Sequence, residues 1–331
     1  MGGRSWAGLM AGIALWASCA PADAAACGAG APSPLAARIA AIACDEHRLW
    51  HAPFIDLQGR LAHIRVSEGE NARLADGESR AWQRVVHYWR GSGLRWPPRY
   101  DGAEDCDAPV DRRGAASCRA FLIDTPWSAV FVSYVMTRAG VPGFEPSARH
   151  VDYVRAAYRS TDGVYRFADP DAELPGVGDL LCFSRVPGTV FGHDGIRRWL
   201  EQSGGQALAM HCDVVVAATG GTARLVGGNV VQGVTMRTLA LNRAGRLWSL
   251  PRRTTADAPC TPDNDATCSL NRQDWVALLK LDPRAVGVEP TPVPAGSTPT
   301  APTRECCTVC MLPMPEGMAR CPAPSPGEGT D

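Results

Sequence analysis

Asp124-Thr125-Pro126-Trp127-Ser128-Ala129-Val130-Phe131 is where the chain stops being irregular and starts a helix. Thr125 can cap the orphan amides, and Pro126 suits the first helical position because its missing N–H has no partner there. Trp127, Phe131, Tyr134 and Val135 recur at helical spacing and predict one apolar face. Ser128 therefore falls in the first turn, where unpaired N–H groups and the helix dipole favour negative charge. A nucleophile is well placed there. A cysteine thiolate gains most from such a position, yet this chain has serine.

Outward from this stretch, the two halves of the chain differ. On the N-terminal side, Leu35, Ile39, Ile42 and Leu49 have helical spacing, as do Trp82, Val85, Val86 and Trp89. A further helix is expected from Ser147 to Tyr158. Beyond it, Asp179-Leu180-Leu181-Cys182-Phe183 reads as a short apolar strand introduced by Pro175-Gly176-Val177-Gly178. Asp213 to Ala218 is a β-branched run, Gly220-Gly221 is a hairpin signal, and Ala223 to Val226 forms the return strand, broken by Gly227-Gly228-Asn229. Val234 to Leu239 and Arg246 to Leu250 continue the meander, and Trp275 to Leu281 closes the globular part. Helices first and an antiparallel sheet second predict an α+β domain.

The flanks carry a different message. Arg4 followed by an apolar core from Trp6 to Ala17, with Ala22-Asp23-Ala24 and Ala24-Ala25-Ala26 as small-residue cleavage sites, reads as a signal peptide over residues 1–26. A lipoprotein reading at Cys19 is disfavoured by Trp16 three positions before it. The chain has 13 cysteines, and loss of Cys19 with the signal leaves an even 12. An exported chain is expected to oxidise them, and the protein is expected to be periplasmic or secreted. Cys106 and Cys118 flank one polar loop, and Cys260 and Cys268 another. Residues 289–303 are rich in Pro, Thr and Ala and read as a linker. The tail, 304–331, carries Cys306-Cys307-Thr308-Val309-Cys310 and Cys321. Without a histidine, that cluster reads as a disulfide knot or an interchain link to a disulfide-bonded partner rather than a metal site. A formal net charge of -1 gives no electrostatic footprint for nucleic acid, and no second stretch is apolar enough to span a membrane. At 45% hydrophobic residues the chain can bury a substantial core, with a helical region over 30–123 and a core over 124–288 in one domain.

Acyl-transfer sites need a nucleophile, a base and a group that orients the base. Ser128, His211 and Asn229 occur in that order. His211 heads His-Cys-Asp-Val-Val-Val, Asn229 ends the next strand, and a tight hairpin across Gly220-Gly221 brings head and tail together. Asp213 lies two residues beyond His211 on the same strand face and reads as a polar group at the sheet rim. His150, in the first turn of its helix, reads as a satisfied half-buried histidine that can line the cleft. His193 belongs to an insertion between strands and reads as exposed. Cys182 and Cys212 sit on neighbouring strands, as a cross-strand disulfide or as two buried thiols. Nothing in the spacing of histidines and acids implies a metal, and no cofactor is implied.

Four blocks together resemble the NlpC/CHAP-type cell-wall hydrolases, a bacterial papain-like superfamily. They are Thr125-Pro126-Trp127-Ser128-Ala129-Val130-Phe131-Val132, the Pro175 to Phe183 strand opener, His211 with Val214-Val215-Val216, and Leu225-Val226-Gly227-Gly228-Asn229, in that order across Asp124 to Leu239. The chain looks most like an exported branch of unknown function in which serine replaces the cysteine. The resemblance implies a papain-like α+β fold acting on peptidoglycan as an amidase or peptidase. It assigns Ser128 as nucleophile, His211 as base and Asn229 as orienter, with Trp127, His150 and Asp213 on the substrate side. A thiol, with a pKa near ~8.5, ionises readily beside an imidazole, whereas a hydroxyl must lose its proton during attack. The sequence therefore leaves two readings: a hydrolase of peptidoglycan or cell-envelope peptides, and an inactive cell-wall binding module on the same scaffold. A third, an interaction protein crosslinked through its Cys-rich tail, ranks last.

Overall fold

Pro34–Leu49 (α1) begins where Ser33 Oγ accepts the amide of Ala36 at 3.1 Å, with Pro34 at the first helical position. The computed structural model describes residues 27–94, 96, 102–107, 111–282, 306–307 and 319–320. The expected signal peptide (1–26, with Cys19), the linker (289–303) and most of the Cys-rich tail lie outside the described residues. Ala81–Gly91 (α2) buries Trp82, Val85, Val86 and Trp89, the face its spacing predicts. Asp111 caps Arg112–Asp124 (α3) by accepting from the amides of Arg113 and Gly114.

Pro126 ends α3 rather than starting the next helix. The residue before a proline is pushed out of the helical region, and Thr125 sits at φ -111°, ψ 112° as the last cap of α3. Ser128–Ala139 (α4) starts two residues later, with Trp127 as its N-cap and no side-chain capping bond. Thr125 is therefore not the N-cap expected of it. Gly140, at φ 66°, closes α4. Every residue from Ser128 to Met136 is buried, so α4 is enclosed on all sides rather than along one face. His150–Arg159 (α5) and Gly192–Gln202 (α6) are the remaining α-helices among the described residues. α6 is the insertion in which the sequence places His193, whose Nδ1 lies 3.0 Å from the carbonyl of Val276 and whose ring stacks on Phe167.

The strands are Phe54–Ile55 (β1), Leu61–Ala62 (β2), Tyr165–Ala168 (β3), Leu180–Ser184 (β4), Met210–Thr219 (β5), Thr222–Val230 (β6), Gly233–Ala240 (β7) and Asp274–Leu281 (β8). They form one sheet in the order β2-β1-β7-β6-β5-β4-β8-β3, antiparallel except where β1 meets β7. The Gly220-Gly221 turn joins β5 and β6 as expected. Two expectations are corrected. Arg246–Leu250 is a turn, not a strand; Leu247 and Leu250 are buried under one sheet face without extending it. The chain then crosses back, and β8 pairs with β4 and β3 at the far side. Gly227-Gly228-Asn229 does not break its strand either: β6 runs on to Val230 through a register shift after Gly227.

Alternate residues of β5 serve different cores. Cys212, Val214 and Val216 face the helices, and Val215 joins Leu181, Phe183, Leu225 and Trp275 on the other side. Cys182 and Cys212 stand opposite one another in β4 and β5 and form a disulfide. Cys106–Cys118 and Cys260–Cys268 bridge the loops the sequence marked, and Cys27–Cys44 ties the turn before Pro34 to α1. The four disulfides among the described residues fit folding in an oxidising, exported environment. Among the described residues no single helix is long and apolar enough to cross a membrane. The chain divides after Val288; the second unit contains a short parallel pair, Cys306–Cys307 (β9) with Ala319–Arg320 (β10).

α4 rests directly on β6 at Gly228. A Cβ there would lie 2.3 Å from Cβ of Phe131 and 2.9 Å from the Trp127 ring, both fully buried and unable to yield. Gly228→Ala is expected to destabilise the protein by about 2 kcal/mol, the usual cost of overpacking a filled core. Urea unfolding measures it, and an unchanged midpoint would show that the helix can lift off the strand.

Candidate active site

Ser128 is the first residue of α4, so its own amide and those of Ala129 and Val130 have no intrahelical acceptor. Its Oγ lies 2.8 Å from Nε2 of His150, the first residue of α5. Both side chains are buried, at 6% and 3% exposure. Burial holds the His150 imidazole well below its usual pKa; His211 and Arg185 push the same way and Asp213 opposes them. His150 is therefore neutral at neutral pH and can accept the serine proton at Nε2. Its Nδ1, buried, has no partner among the described residues.

The histidine beside Ser128 is thus not the one the sequence favours. His211, on β5, uses Nε2 to donate to Asp213 Oδ1 at 2.6 Å, and its ring centroid is 5.0 Å from that of His150. Asp213 is no rim residue: it is 1% exposed. Its other oxygen accepts from Arg237 Nε at 3.0 Å, and Arg237 also donates to the Leu270 carbonyl and to Asn271 Oδ1. Burial pushes the Asp213 carboxyl up, but His211 and Arg237 outweigh it and hold it well below the usual carboxylate range. Gly227 makes room for this cluster, since a Cβ there would lie 1.9 Å from Asp213 Oδ1 and 2.9 Å from His211 Nε2.

Asn229 meets Trp127 instead of orienting His211. With its amide turned to suit its neighbours, Oδ1 accepts from Trp127 N at 3.2 Å and from Trp127 Nε1 at 3.1 Å. Asn229 thus serves the amide that precedes the nucleophile. Trp127 is fully buried between Trp50 and Tyr88, stacked on both, and presents no face to a substrate. Its Nε1 also donates to Glu68 Oε2 at 2.6 Å. Burial raises the Glu68 carboxyl to about 7, with the Trp127 bond opposing. Arg237 and Glu68 were not singled out from sequence. Arg237 sits between Met236 and Thr238 in β7, a pattern that also fits an ordinary strand, and Glu68 lies in an irregular segment with no periodicity to flag it.

A cleft of about 160 Å³ opens at this edge, lined by His211, Asn229, Arg237, Phe183, Arg185 and Val231 among others. Asn229 (φ 54°), Val231 (φ 52°) and Gln232 (φ 62°) all have left-handed backbone at its rim. A valine there is strained. Glu68 N and Ser67 Oγ hold this hairpin through Gln232, at 2.8 and 2.7 Å. Such strain persists only where surrounding contacts impose it, and it concentrates at working sites. Among the described residues no three His, Cys, Asp or Glu side chains converge as metal ligands would.

Two predictions follow from the buried charges. Arg237→Met leaves Asp213 short of a partner and is expected to cost roughly 3 kcal/mol. Adding Asp213→Asn to that variant should recover part of the loss in urea unfolding; simple additivity would refute the pairing. Glu68 holds its proton more tightly folded than unfolded, so its contribution to stability is lost as pH rises from 4.5 through about 7. Glu68→Gln, which keeps an acceptor for Trp127, should flatten the fall in unfolding midpoint between pH 4.5 and 8. An unchanged slope would show that Glu68 does not titrate in this window.

Residues 76–281, more than half of the chain, match the family described as uncharacterized protein conserved in bacteria (DUF2272). No curated protein and no solved structure matches. The matched span runs from just before α2 to the end of β8 and contains Ser128, His150, His211, Asp213, Asn229 and Arg237. The chain belongs to this bacterial DUF2272 family.

Proposed function

We propose that this protein is an exported, serine-dependent amide hydrolase with papain-like architecture, acting on peptidoglycan or cell-envelope peptides. The observation that carries the reading is the 2.8 Å approach of Ser128 Oγ to a neutral, buried imidazole at the start of a helix. Ser128 Oγ attacks the amide carbonyl while His150 Nε2 takes its proton, in place of the His211 expected from sequence. The unpaired amides of the first turn of α4 are placed to stabilise the oxyanion. His150 then returns the proton to the nitrogen as the C–N bond breaks, and water releases the acyl group by the reverse sequence. The Asp213 carboxylate, pinned by Arg237 and His211, favours the imidazolium formed in between. Asn229 steadies Trp127 and so the position of the serine. The substrate class rests on the order of the four sequence blocks.

The orphaned Nδ1 of His150 favours a second reading, a cell-wall binding module without turnover, because no carboxylate stands directly behind the base. Purified protein incubated with peptidoglycan, with products separated by mass, decides between them. Ser128→Ala is expected to lower cleavage by about a thousandfold or more. Undiminished cleavage would remove Ser128 as nucleophile. Retention on sacculi with no cleavage by the wild type would favour the binder.

A further inference from the structure

A second, larger cavity of about 590 Å³ lies away from Ser128, where the end of α1 meets the helix-facing side of β6 and β7. That volume is in the range of small-molecule sites. Its lining is one-sided in charge. Arg48 and Arg224 contribute guanidinium groups, His47, His51 and His63 contribute imidazoles, and no aspartate or glutamate lines it. Arg48 has a partner in Asp45, but that pair is exposed and therefore weak. Arg224 makes no ion pair among the described residues. Its cross-strand neighbours are Ala217 and Thr238, neither of them charged. Phe54 and Met236 supply an apolar wall.

The backbone around the cavity is distinctive. Six non-glycine residues have positive φ among the described residues. Three of them, Asn229, Val231 and Gln232, lie where β6 turns into β7, by the cleft that His211 and Arg237 line. The other three, His51 (φ 66°), Ala52 (φ 53°) and His63 (φ 63°), all line this second cavity. Their conformation is held in place. His51 Nε2 pairs with the Arg73 carbonyl at 3.0 Å, the Ala52 amide with the His47 carbonyl at 3.0 Å, and His63 stacks on Phe54 at 5.6 Å. Left-handed backbone costs about 1 kcal/mol or more per residue and concentrates where a site is being shaped.

The structure assigns this cavity as a binding site for a small organic anion, an oxyanion head carried on an apolar or ring-bearing body. The head sits at Arg224 and Thr238, with Arg48 at the mouth; the body lies against Phe54 and Met236. Arginine suits the head because its planar fork matches carboxylate and phosphate oxygens. The ligand site is separate from Ser128 and does not depend on hydrolysis.

Fluorescence titration of the full chain tests it with two probes of similar shape. 8-Anilinonaphthalene-1-sulfonate carries an anionic head on a naphthyl body, and N-phenyl-1-naphthylamine carries the body alone. The sulfonate is expected to bind saturably and more tightly than the amine. Arg224→Ala should weaken the sulfonate about tenfold, equivalent to about 1.4 kcal/mol, and leave the amine unchanged. Arg224→Lys should restore most of the affinity, and Arg224→Gln serves if the alanine variant fails to fold. Competition by inorganic phosphate indicates that the head is the main determinant; competition by benzoate but not by phosphate indicates a carboxylate on a ring. No saturable sulfonate binding, equal affinity for both probes, or an unchanged affinity in every Arg224 variant would overturn the assignment.

Discussion

Two adjacent glycines in β6 allow a buried helix to lie directly on the sheet, and the arrangement of the candidate site depends on that approach. Gly228 faces α4 and admits Phe131 and Trp127 at distances no side chain would permit. Gly227 faces the other way and admits the carboxylate of Asp213 and the ring of His211. One strand thus sets the depth of the serine-bearing helix on one side and of the charged cluster on the other. Because α4 is buried all round, Ser128 does not ride on a loose loop. Its position is inherited from the stack of Trp50, Trp127 and Tyr88 and from the capping of Trp127 by Asn229.

Charge follows the same logic of enclosure. Asp213 is ionised in a place where a lone carboxylate would be costly, and two partners on separate residues make that tolerable. In the helical layer Glu46 gathers partners as well: Arg84, Tyr88 and Tyr134 all donate to it and tie α1, α2 and α4 together. Glu68 is the exception: its bond partner is an indole, not a cation, and burial keeps its proton on into the neutral range. Asp213 and Glu68 show how the partner, rather than the depth of burial, decides the charge state.

Much of the architecture was legible along the chain. The helices around Ile39 and Trp89, the hairpin at Gly220-Gly221, the paired cysteines flanking two loops and the change from helices to antiparallel strands all rest on local periodicity and turn chemistry. Local rules failed where one residue could serve two elements. Pro126 was equally suited to begin a helix or to end one, and the short α3–α4 junction made it an end. Arg246–Leu250 has the composition of a strand, but Leu247 and Leu250 bury themselves in a turn.

The sequence by itself determined an α+β chain with a serine at a helix start, a hairpin that draws His211 and Asn229 together, and a second histidine, His150, at the start of another helix. Only the tertiary structure decided which imidazole the serine meets. His150 and His211 are 61 residues apart in sequence, and each is a plausible base by type. The choice is made by where α5 docks, and by Asp213 engaging His211 along β5 while Arg237 of β7 holds Asp213. Helix and strand formation depend on neighbours along the chain, whereas a side chain's partner depends on register and packing between elements far apart in it.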